Sequence, residues 1–76
     1  MLINKECFIA ETQDLDKQQK LFVAIYLDDI EMVKYCVEEL HASPNEIMEL
    51  SKVNKCKEIA ENILEMYNDN NKEEYN

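Results

Sequence analysis

Glycine is absent from this chain, and proline occurs once, at Pro44. Without glycine there is no phosphate-cradling loop of the P-loop or Rossmann kind. Such loops need a residue lacking Cβ where the backbone meets the phosphate. Arginine is absent too: all eight basic residues are lysine, against 17 acids, for a formal net charge of −9. Neutralising phosphates supplies most of the affinity for DNA and RNA, so the balance argues against direct nucleic-acid binding and against anionic membrane surfaces. Histidine occurs once, at His41, and the cysteines are three, Cys7, Cys36 and Cys56, with no C-x-x-C pair. That set completes no zinc site, so no metal and no cofactor is expected, and the thiols are read as reduced, Cys36 and Cys56 as small core hydrophobes. No apolar run approaches the ~20 residues of a membrane span. "MLINKECFIAETQD" has no apolar signal-peptide core, which leads to an expectation of a cytoplasmic protein.

What is present is amphipathic helix. The chain has 76 residues, 46% hydrophobic and 33% charged, enough for one small domain with a marginal core. In "CKEIAENILEMY", Cys56, Ile59, Ala60, Ile63, Leu64 and Tyr67 fall on one helical face. In "DIEMVKYCVEEL", Ile30, Val33, Cys36, Val37 and Leu40 form a stripe that Met32 and Tyr35 widen. "KQQKLFVAIYL" is preceded by Asp16 with Gln19 three residues on, a capping box. Asp28 with Glu31 suggests a second cap. Ser43-Pro44-Asn45-Glu46 reads as a third: Ser43 caps, Glu46 reaches back, and Pro44 takes the first helical position, where its missing N–H costs nothing. A short helix is therefore expected over 44–53, ending near Asn54 before a longer one. The expected order is short helix, tight turn, long helix, loop, then the same again. Residues 1–15 are ambiguous between helix and strand, with a capping helix favoured. The polar "NDNNKEEYN" reads as disordered.

Chemistry is scarce in this pattern. Catalysis needs a nucleophile or an acid–base pair in a pocket. His41 sits where a helix C-terminus would use it, Cys36 and Cys56 lie on apolar faces, and Ser43 reads as a cap. Acid pairs such as Asp28-Asp29 and Glu38-Glu39 lack EF-hand spacing. The reading is of a protein that is not an enzyme.

The two helical units repeat. "LFVAIYLDDIEMVKYCVEEL" aligns with "MELSKVNKCKEIAENILEMY" at an offset of 27, placing Glu31 over Glu58, Met32 over Ile59, Cys36 over Ile63 and Val37 over Leu64. Here the sequence resembles the ankyrin repeat family, most closely in "DIEMVKYCVE" and "ASPN", over roughly Lys20–Tyr67. It departs from the family pattern in four ways. The opening Thr-Pro is absent, the turn glycines are replaced by Asp28 and Lys55, Leu40 is extra, and the β-hairpin finger between units is missing. The resemblance implies an all-α fold of two stacked antiparallel helical hairpins plus an N-terminal capping segment, spanning residues 1–68, with 69–76 as an acidic tail. Two units are few for such a stack. Either the N-terminal segment completes the core or a homodimer buries the open end.

The resemblance also implies a contact surface at the ends of the first helices, at Tyr26 and Leu27 in one unit and Val53 and Asn54 in the other. Asp28 and Asp29 adjoin the first pair. Between Asp28 and Glu46 there are six acids and one lysine, a local charge of −5, which favours a basic protein partner. The function expected is non-enzymatic protein binding, as a small acidic inhibitor of the phage or mobile-element anti-defence or immunity type. The other class carried forward is a structural or regulatory homo-oligomer.

Overall fold

The computed structural model describes residues 4–75, with side chains described as far as residue 68. Every regular element among them is helical: α1 (Lys5–Glu11), α2 (Lys17–Tyr26), α3 (Ile30–Lys34), continued without a break by a π-helical turn (Tyr35–Glu39), and α4 (Leu50–Tyr75). No described helix is long and apolar enough to cross a membrane.

Side-chain caps set the starts of the first three helices. Asn4 Oδ1 accepts the N–H groups of Glu6 and Cys7 at 2.8 and 3.4 Å and opens α1. The favoured helical reading of the N-terminal segment thus holds for α1. At α2 the expected capping box is complete: Gln19 N–H donates to Asp16 Oδ1 at 2.8 Å and Asp16 N–H donates to Gln19 Oε1 at 3.0 Å. At α3 the cap is Asp29, not Asp28. Asp29 Oδ1 accepts from the N–H groups of Glu31 and Met32 at 3.1 and 3.4 Å. Asp28 instead ends α2. It stands at φ 54°, donates its N–H to Ile25 O at 3.1 Å, and is followed by Asp29 N–H donating to Ala24 O at 3.3 Å. These two bonds form a Schellman motif.

The π turn that continues α3 closes in a wider version of the same turn. His41 has φ 61°, Leu40 N–H donates to Tyr35 O at 3.2 Å, and Ala42 N–H donates to Cys36 O at 2.9 Å. The bond from Ala42 spans one residue more than the one from Asp29 to Ala24 O, and the bond from Leu40 has the five-residue span of a π-helix, because the π turn takes an extra residue into the helix. His41 therefore serves the helix end with its backbone. Two left-handed positions, both filled by residues with a Cβ, carry a steric cost that glycine would lack. Asp28→Gly and His41→Gly are each expected to raise stability by about 0.5–1 kcal/mol. In a domain this small the melting temperature, followed by circular dichroism, should rise by roughly 4 °C or more per kcal/mol.

The core gathers Phe8 from α1, Leu15, Leu21, Val23 and Ala24 from α2 and its approach, Leu27, Met32, Cys36, Ala42, and Cys56, Ala60 and Ile63 from α4. α2 packs chiefly on α4 and also against α3 and its π turn, while α1 lies on α4. The stripe expected in α4 is the one buried. The stripe expected in α3 packs inward except at its first residue: Met32 and Cys36 are buried, Val33, Val37 and Leu40 lie half-buried against the core, but Ile30 is 68% exposed. Buried polar side chains are bonded. Thr12 Oγ1 donates to Phe8 O at 2.6 Å and turns the chain out of α1.

Residues 44–49 carry no helix, and α4 shows no break at Asn54. The second unit is thus one helix rather than a hairpin. The reason at Ser43 is local competition. Gln18, buried on α2, accepts Ser43 N–H on Oε1 at 3.0 Å and donates Nε2 to Ser43 O at 2.6 Å. The N–H that Glu46 would cap is already taken. At Asn54, asparagine costs a helix interior well under 1 kcal/mol, and the stripe of Cys56, Ala60 and Ile63 easily outweighs it. Beyond Ile63, α4 runs on through Tyr75, across the residues read as a tail. No glycine or proline follows Pro44 to stop it.

Candidate functional site

The α2–α3 turn brings Tyr26, Leu27, Asp28 and Asp29 to one end of the molecule but gives them different tasks. Leu27 is 2% exposed and folds back under the turn. Asp29 is 1% exposed, with its carboxylate committed to the α3 N-terminus. Tyr26 and Asp28 remain accessible. Two neighbours not singled out by the repeat pattern join them: Ile25, 50% exposed, and Ile30, 68% exposed. Three large apolar side chains thus face water at the hairpin tip, bordered by the exposed carboxylates of Asp28 and Glu31. Ile25 was legible as an apolar residue between Ala24 and Tyr26. Ile30 was masked by its fit to the α3 stripe.

Val53 and Asn54 lie elsewhere. Val53 is half-buried and Asn54 exposed, both inside the first turns of α4. Their neighbour Lys52 lines a groove with Asp16 and Gln18 at the start of α2. Tyr26 is ten residues further along α2, about 15 Å at ~1.5 Å per residue. The two halves of the expected surface are therefore at opposite ends of α2.

Two shallow grooves are shaped by side chains. One, of about 170 Å³, lies between the start of α2 and the approach to α4, with Asp16, Gln18, Glu46, Met48 and Lys52 among its walls. The other, of about 220 Å³, lies beside the π turn and includes Lys5, Glu31, Tyr35 and Glu39. Both fall below the ~300–1,000 Å³ of small-molecule sites. In the second, Lys5 ties α1 to the π turn. Its Nζ lies 3.4 Å from Glu39 Oε2 and 4.5 Å above the Tyr35 ring. Both partners of the ion pair are largely exposed, so its contribution is small.

The cysteines carry no disulfide. Burial pushes the Cys36 thiol up to about 11, a rise only partly opposed by the positive charge of Lys20. Cys56 is raised as well, first by burial and then by the negative charge of Asp16. Neither is activated as a nucleophile, since reactivity requires thiolate. Among the described residues no group of three or more His, Cys, Asp or Glu side chains is placed to hold a metal ion.

The chain matches no protein-family model, no curated protein and no solved structure.

Proposed function

We propose that this protein is a non-enzymatic interaction module that binds a basic protein surface through the tip of its first helical hairpin. The observation that carries the reading is the exposed trio Ile25, Tyr26 and Ile30 beside Asp28 and Glu31. Buried aromatic anchors supply most interface energy, and tyrosine is favoured among them. Like-signed charge at the rim steers an oppositely charged partner and rejects others. A chain of net charge −9 suits charge mimicry, in which an acidic inhibitor occupies a nucleic-acid-binding site on its target. An anti-defence or immunity-type inhibitor from a phage or mobile element is the specific form of this reading. A cytoplasmic setting fits three cysteines without a disulfide, because reducing compartments keep thiols free. The ankyrin-like reading of the α2–α3 pair supports the same surface, since that family is read at the ends of its first helices.

The test is affinity capture with the wild-type chain beside Tyr26→Ala and the double charge reversal Asp28→Lys/Glu31→Lys. A basic protein should be retained at low salt by the wild type and released at high salt. Either variant should weaken its retention at least ten-fold. Asp29 is left intact because reversing it would uncap α3. Equal retention by all three proteins would remove the tip from consideration, and a captured partner that is not basic would remove the mimicry.

A further inference from the structure

A different part of the molecule holds two apolar side chains that are each more exposed than any at the tip. Ile47 is 95% exposed and Leu50 75% exposed. They sit three residues apart where the irregular arm meets α4. Met48, between them, is half-buried and packs on the core, so the arm is anchored while its flanking apolar side chains stand in water. Next to them is the groove of about 170 Å³ at the start of α2. Three carboxylates, Asp16, Glu46 and Glu49, line it against one ammonium, Lys52. The cavity is too small for a typical organic ligand and has room for about one inserted side chain.

We propose that the Glu46–Leu50 arm is a second docking surface, built for a basic amphipathic helix of another protein. Such a helix would set one apolar side chain into the groove, cover Ile47 and Leu50 with its apolar face, and pair its lysines or arginines with Asp16, Glu46 and Glu49. Helix-in-groove recognition uses anchors at i, i+3 and i+4 in this way. Charge selects this occupant over a second copy of the chain. Two copies, each of net charge −9, would bring the same three carboxylates face to face, and like-charge juxtaposition at an interface is strongly unfavourable. The surface stands independently of the hairpin tip, at the other end of α2.

The test titrates the full ¹⁵N-labelled chain with a helical leucine–lysine peptide of about four turns, long enough to cover the arm at ~3.6 residues per turn. A peptide of the same composition with scrambled periodicity is the control. Saturable binding is expected, with the amide shifts centred on 46–52. Ile47→Ser/Leu50→Ser should weaken it at least ten-fold, and Tyr26→Ala by less than two-fold. Both serine sites are exposed, and circular dichroism of the double variant checks that the fold is retained. Shifts centred on 25–31, equal binding of the scrambled peptide, or an unaffected serine variant would each overturn the proposal. So would a sedimenting homodimer of the free protein that the serine variant dissolves, because the arm would then bind its own copy.

Discussion

Phe8→Ala is expected to destabilise the domain by about 3–5 kcal/mol, the usual cost of truncating a fully buried phenylalanine. A chain of this length has a total of roughly 4–11 kcal/mol at typical stability per residue. The variant would therefore lose a large share of its stability and part of it would be unfolded at room temperature. The size of the effect follows from where Phe8 sits. It is 0% exposed, on the seven-residue helix α1, which lies on α4. Thr12, also 0% exposed, fixes the exit from that helix through its bond to Phe8 O. Removing the ring empties the end of the core that α1 closes, and a helix so short has little stability of its own. Ile9, on the same helix but only half-buried, should cost far less when truncated to alanine. Urea unfolding followed at 222 nm compares the two, with midpoints read at a common slope. A loss at Phe8 below about 1 kcal/mol would mean that α1 is not part of the cooperative core.

The same residues show how far the sequence could be read. The amphipathic face of α4 was legible because Cys56, Ala60 and Ile63 repeat at helical spacing with charged residues between them, and nothing local competes. The Asp16–Gln19 box was legible for the same reason: both partners are near neighbours in sequence. The π turn was legible only as an anomaly. Leu40 is an extra residue only beside the pattern that the sequence resembles, and in the fold the hydrogen-bond register widens over Tyr35–Glu39 just before it. The cap of α3 was misplaced by one residue because Asp28 and Asp29 are chemically equal candidates. Only the left-handed backbone at Asp28 separates them. At the candidate site, periodicity placed Ile30 inside a core-facing stripe that the fold begins only with Met32 and Val33, and so hid part of the apolar tip.

The largest misreading, Ser43–Glu46, came from a partner 25 residues away, and its removal should reverse the outcome. In Gln18→Ala, residues 44–49 are expected to wind into helix and move the start of α4 from Leu50 to about Pro44. All the local chemistry for this is in place: a serine cap, proline at the first position, and glutamate at the third. A weak turn already exists, with Glu46 N–H reaching Ser43 O at 3.5 Å. What holds the arm open is the pair of bonds from the Gln18 amide, which engage both backbone groups of Ser43. Losing them should cost about 1–3 kcal/mol, offset by about 1 kcal/mol from the new cap. The net result is a slightly less stable protein with more helix. Cα secondary shifts of Asn45–Glu49 would report the change directly, with a matching gain in ellipticity at 222 nm. Coil-like shifts there in the variant would show that the arm is kept irregular by something other than Gln18. A wound arm would also put Ile47 and Leu50 on one helical face, three residues apart, and abolish the groove beside Asp16. The leucine–lysine peptide should then bind Gln18→Ala differently from the wild type, which makes this glutamine the residue that sets the shape of the second docking surface.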